Sequence, residues 1–192
     1  MRPSKRASLQ TFVVLLRGIN VGSTRKVPMA DLRAICLKLG WTRPETYIQS
    51  GNLIVDARGN GAHVRRVLEP ELVARFGLAV DVVVRGASNW VTYVAANPFA
   101  NDAAAKDKMV HLYVSRDPLT SQAADVLNER ARTGERIHIA GGALWIGYGA
   151  PGVAGSKLTP SLIDKACGSP TTGRNWKTVL KIREMLAARN KA

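Results

Sequence analysis

The chain has 192 residues, 46% of them hydrophobic and 22% charged, which fits one globular domain or two small ones and excludes a disordered or fibrous chain. It carries 28 Lys and Arg against 14 Asp and Glu, a formal net charge of +14 that is spread as +8 over residues 1–100 and +6 over residues 101–192, so the excess is a field over the whole chain that attracts polyanions. No apolar run approaches membrane-spanning length, and the run at residues 12–16, cut off by Arg17, is too short for a signal core; the expectation is a cytoplasmic chain with no membrane partner.

Residues 1–10 are polar and basic and predict a flexible tail. Residues 11–17 predict a strand, because Val13, Val14, Leu15 and Leu16 form a continuous apolar run of the kind a central strand buried on both faces needs. A loop with Gly18, Gly22, Arg25 and Lys26 follows. Pro28 suits the first turn of a helix, in which Met29, Leu32, Ile35, Cys36 and Leu39 recur at helical spacing before Gly40. Residues 45–49 and 52–56 are β-prone and flank Ser50-Gly51, a hairpin signal. Asn60 caps a second helix to residue 76, with Val64, Val67, Leu68, Leu72 and Val73 inward and Pro70 expected to kink or interrupt it. A strand at 79–85 and a short helix capped by Ser88, holding Trp90, Val91 and Val94, complete the first half. Strand-helix-strand-strand-helix-strand is the order of a ferredoxin-like split βαβ unit.

The second half partly repeats it. Residues 109–115 predict a strand, Asp117-Pro118 a helix start running to about residue 132, and 136–140 with 143–147 a hairpin turned by Gly141-Gly142. A glycine-rich stretch then leads to a helix at 160–167 and a last helix at 174–188. The expected fold class is α+β, with a ferredoxin-like subdomain at 11–100 and a second, partly similar α+β subdomain with extra C-terminal helices at 101–192. Cys36 and Cys167 lie in apolar helical patterns and read as buried free thiols.

This order of elements has a geometric consequence. In a split βαβ unit the first two strands run the same way and the third returns between them. The end of strand one, the start of helix one and the tip at residues 49–52 therefore meet at one edge of the sheet. A helix start carries partial positive charge and donor N–H groups. Arg17, Asn20, Lys26, Ser50 and Asn52 would surround an anion there, unless the polar groups only satisfy the loop backbone and the cations point to water. Residues 171–178, which open the predicted last helix, bring Arg174 and Lys177 into a first turn where cations oppose the helix dipole, so these two join the candidate anion site.

Other chemistries find less support. Residues 149–157 resemble a phosphate loop in glycine content, but Gly155-Ser156-Lys157 reverses the Gly-Lys-Ser/Thr order that such a loop needs. No nucleophile elbow and no His or Cys cluster at metal spacing is present, so no cofactor is expected. Base-stacking aromatics are missing from the strand at 52–56, and the first strand has only Phe12.

The segments at 15–22 (LLRGINVG), 46–52 (TYIQSGN), 97–99 (NPF) and 172–178 (TGRNWKT), with Lys26 and Met29, together resemble domain of unknown function 1697, in this order and across nearly the whole chain. The resemblance implies a bacterial cytoplasmic α+β protein with a ferredoxin-like part and brings no activity with it. The expectation for function is therefore a site for a phosphate-bearing ligand, nucleotide or nucleic acid, at the basic glycine loop. The rivals are an enzyme acting on a small anionic substrate, with the same cations as its clamp, and a protein-interaction module.

Overall fold

The computed structural model describes residues 8–22, 25–101 and 109–189. The chain divides into two compact units, Met1–Ala87 and Ser88–Ala192. The tail expected at 1–10 lies mostly outside the described residues, and Leu9 and Gln10 already belong to the first strand.

The first unit contains β1 (Leu9–Leu16), α1 (Met29–Lys38), β2 (Thr42–Tyr47), β3 (Asn52–Arg58), α2 (Gly61–Phe76) and β4 (Val82–Gly86). Its sheet has the order β2-β3-β1-β4 with every neighbouring pair antiparallel. This is the ferredoxin-like arrangement. The register runs from Leu9 opposite Arg58 to Leu15 opposite Asn52, and from Phe12 opposite Gly86 to Leu16 opposite Val82. Strand periodicity then sorts the side chains. Phe12, Val14 and Leu16 join Leu53, Val55, Val82 and Val84 in one core with Leu32 and Cys36 of α1 and Val64, Leu68 and Leu72 of α2. Val13, Leu15, Ile54 and Val83, on the opposite face, are buried as well. The continuous apolar run in β1 follows from burial of its side chains on both faces.

Asn60 caps α2, its side-chain oxygen accepting from the His63 N–H at 2.9 Å. Pro70 does not interrupt the helix, which runs unbroken to Phe76 and stops at Gly77 in the left-handed conformation. Pro70 is exposed, so the carbonyl that lacks a helical donor can be met by water.

The second unit contains α3 (Ala87–Ala95), β5 (Val110–Ser115), α4 (Ala123–Asn128), β6 (Arg136–Ala140), β7 (Ala143–Gly147), α5 (Gly152–Gly155), α6 (Pro160–Cys167), β8 (Thr171–Asn175) and α7 (Trp176–Arg189). Its sheet order, β6-β7-β5-β8, repeats that of the first. The repeat is fuller than the sequence suggests, and β8 is the reason. Residues 171–175 form a strand along β5, from Ser115 opposite Thr171 to His111 opposite Asn175, and the last helix starts only at Trp176. Gly173 is required here, since a Cβ would stand 2.7 Å from Cε1 of Tyr113.

Two further helix starts differ from expectation. Asp117-Pro118 opens no helix, and α4 is limited to six residues. Asp117 instead pairs with Ser169, whose hydroxyl accepts from the Asp117 N–H at 2.9 Å and donates to its carboxylate at 3.1 Å. Ser88 caps nothing, because α3 follows β4 without a linker. The second unit begins at Ser88, one residue into α3, and Trp90 of this helix, fully buried, donates from Nε1 to the Val179 carbonyl of α7 at 3.0 Å. The NPF segment is structural. Asn97 Oδ1 accepts from the Phe99 N–H at 2.9 Å, and the Phe99 ring sits beside the Arg136 guanidinium, 5.1 Å away, and His138, 5.4 Å away.

Candidate functional site

The expected convergence in the first unit is present. Leu16 donates its N–H to the Gly51 carbonyl at 2.9 Å, which fixes the end of β1 to the β2–β3 turn. The approach is close enough to need glycine: a Cβ at Gly51 would lie 2.8 Å from Leu16 Cβ and 2.9 Å from Ile19 Cδ1. Asn20, at φ 53°, then ties the loop, the helix entrance and the turn together. Its side-chain oxygen accepts from the Val27 N–H at 2.8 Å, and its amide nitrogen donates to Val27 O at 3.0 Å and Gln49 O at 2.6 Å.

The candidate residues thus have different tasks. Both donors of the Asn20 amide are taken up by backbone. Asn52, 1% exposed, donates to the Tyr47 carbonyl and to the Ser50 hydroxyl, each at 3.0 Å. Arg17 forms a half-buried ion pair with Asp81 at 3.3 Å. Arg25 donates to the carbonyls of Gly18 at 2.7 Å and Ala79 at 2.8 Å and so laces the loop to the entry of β4. Lys26 is exposed and makes no hydrogen bond or ion pair among the described residues.

What these contacts frame is an open cleft of about 550 Å³, lined by Pro28, Met29, Ala30, Arg33, Thr46, Ile48 and Gln49. Pro28 precedes α1 and offers no side-chain cap, and Pro28, Met29 and Ala30 at the helix start all line the cleft. Arg33, one turn into the helix, reaches across it and donates to Thr46 Oγ1 at 2.7 Å. Neither Arg33 nor Ile48 is evident as a site residue in the sequence. Arg33 sits on the polar side of an amphipathic helix and looks like an ordinary solvent cation; only its place one turn from the helix start hints at more. A second hollow of about 360 Å³ lies between α1 and α2, but the ion pairs Lys38–Glu71 and Asp31–Arg75 balance its charge.

Arg174 and Lys177 belong to the second unit. Arg174 lies within β8 and donates to Thr172 Oγ1 at 2.7 Å and to the Gly173 carbonyl at 2.8 Å. Burial lowers its pKa from 12.5 to about 10, which still leaves it charged at neutral pH. Lys177 is exposed in the first turn of α7. The helix-dipole argument therefore holds for Lys177 and not for Arg174. The glycine-rich stretch at 149–157 is explained by packing: a Cβ at Gly149 would overlap the Thr133 carbonyl, and Ser156 donates to the Glu135 carboxylate. Both cysteines are buried, and burial pushes their pKa up, to about 12 for Cys36 and about 11 for Cys167, so neither is a thiolate at neutral pH.

A family profile described as protein of unknown function (DUF1697) matches residues 9–145, more than two thirds of the chain. The chain belongs to this family. The DUF1697 match covers the first unit from β1 onward, with its cleft, and it ends within β7, before β8. No curated protein matches the chain in sequence. Among solved structures, a conserved bacterial protein from Streptococcus pneumoniae is similar, with a TM-score of 0.74 and 22% identity over 93% of this chain and 99% of that one. At that identity the likeness establishes the fold alone, which this DUF1697 chain shares over most of its length.

Proposed function

We propose that the protein binds a phosphate-bearing ligand in the cleft between the start of α1 and the β2–β3 turn. The observation that carries this reading is the cleft itself: it is an open hollow lined by the first residues of α1, which has no side-chain cap, and Arg33 of the same helix reaches Thr46 on its far side. Lys26, two residues before Pro28, is an exposed cation close in sequence to the cleft lining. Arg17, Asn20, Ser50 and Asn52 support the site from behind, because each bonds to neighbouring chain. Arg174 and Lys177 are not needed for it. An enzyme acting on a small anion would use the same cations as its clamp, but the described residues that line the cleft include no His, Cys, Asp or Glu beside Thr46 that would act as a base.

The test is binding to inorganic phosphate and to short oligonucleotides over a salt series, for wild type and for the Lys26→Ala/Arg33→Ala pair. Saturable phosphate binding lost in the pair supports the cleft. Oligonucleotide binding that falls steeply with salt but is unchanged in the pair assigns it to the general positive field. Absence of both removes the phosphate reading.

A further inference from the structure

Ile48 is in an unfavourable position twice over. It is β-branched and sits at φ 49°, in the left-handed region that branched side chains avoid. It is also 52% exposed, so burial offers no compensation. Asparagine or glycine suits such a turn position, and the same turn already uses Gly51 at φ 78°. Strain of this kind collects where a ligand is gripped. Ile48 lines the cleft, with Pro28 and Met29 and the Arg33 guanidinium among its other lining residues. The cleft therefore offers a cation for a phosphate and an aliphatic surface that no bare polyanion would use.

We propose that Ile48 determines specificity, and that the ligand is a small phosphomonoester carrying an apolar ring, with its phosphate at Arg33 and Lys26 and its ring against Ile48 and the Pro28–Met29 edge. This rests on the phosphate reading above and narrows it from phosphate-bearing ligands in general to one amphipathic class.

Phenyl phosphate and inorganic phosphate separate the two ideas, since they share the anion and differ by the ring. Both are titrated by NMR at constant ionic strength into wild type, Ile48→Asn and Arg33→Gln. Wild type is expected to bind phenyl phosphate about fivefold or more tighter than phosphate, the effect of partly burying one ring. In Ile48→Asn that preference disappears while phosphate affinity stays, and the melting temperature is unchanged or rises by about 2–4 °C, because asparagine fits the left-handed turn. Arg33→Gln weakens both ligands together. Equal affinities in wild type overturn the role of Ile48 and leave the phosphate site standing. Failure of both ligands to bind overturns both. A fall of several degrees in the melting temperature of Ile48→Asn would make Ile48 a structural residue and overturn the proposal, as would binding restricted to oligonucleotides.

Discussion

Asn20 holds three pieces of chain with one short side chain. Its left-handed backbone is a conformation asparagine tolerates and alanine does not, and its amide satisfies both backbone groups of Val27 as well as the Gln49 carbonyl. Asn20→Ala removes three hydrogen bonds and adds backbone strain. It is expected to lower stability by about 2 kcal/mol in urea unfolding. Asn20→Asp keeps the bond from the Val27 N–H but loses both donors, and should fall between the two. If Asn20→Ala instead leaves stability unchanged and abolishes phosphate binding, the amide contacts ligand and not the loop. In the sequence Asn20 and Asn52 look the same as ligand-binding amides would, because asparagine serves turns and ligands through the same groups. Arg17 and Arg25 are equally opaque. Their partners, Asp81 and the Gly18 and Ala79 carbonyls, are fixed by the return of β4 beside β1, and most of that pairing lies far along the chain.

At the level of elements, acidic side chains close the outer strands. In the first unit Glu69 of α2 accepts the Val82 N–H at 3.2 Å, at the start of β4. In the second, Asp164 of α6 accepts both the N–H and the hydroxyl of Thr171 at 2.8 Å, at the start of β8. Asn128 of α4 does the same for β6, exchanging bonds with the N–H and carbonyl of Ile137 at 3.2 and 3.0 Å. An unpaired strand edge invites association, so these contacts blunt it. Asp164→Ala should cost about 2 kcal/mol, more than Glu69→Ala at about 1 kcal/mol, because the former loses two short bonds to a carboxylate. Hydrogen exchange at the Thr171 amide should quicken selectively in the first variant. If the two variants cost the same, the shorter geometry has no energetic meaning. These side-chain bonds also explain which elements are legible in the sequence. The hairpin at Gly141-Gly142, α6 and the cap at Asn60 depend on local chemistry and match expectation. β8 and the missing helix at Asp117 do not, because β8 contains Gly173 and Asn175, poor strand formers, and Asp117 is held by Ser169 from 52 residues away. Long-range pairing decides both, and periodicity cannot report it.

For the whole molecule, acid is the condition that should reveal what holds the second unit. Burial lowers the His111 pKa below 6.5, against a smaller raising effect of the Met109 backbone, and its ring lies beside those of Tyr148 and Tyr113, whose hydroxyls bond to each other at 2.6 Å. Glu135 behaves differently. Burial alone would raise its pKa, but bonds from Ser156, from the hydroxyl and N–H of Thr133 and from its own backbone hold it down, from 4.5 to about 2. Both shifts act in one direction. Below pH 6.5 the unfolded chain protonates its histidine more readily than the folded one, so the His111 contribution, complete above 6.5, drains as pH falls. The Glu135 contribution is complete above 4.5 and is lost between 4.5 and about 2. Added protons also increase a charge that is already +14, which strengthens self-repulsion. Urea unfolding followed over pH should therefore show stability declining in two stages. His111→Phe, which keeps a ring against Tyr148 and cannot titrate, should remove the first stage and exceed wild type near pH 5. Glu135→Gln should be less stable than wild type at pH 7, by an amount on the order of 3 kcal/mol, and the difference should vanish toward pH 2. A Glu135→Gln deficit that stays constant with pH would mean that the loop needs the shape of the side chain and not its charge. A His111→Phe curve parallel to wild type would place the first stage on other groups.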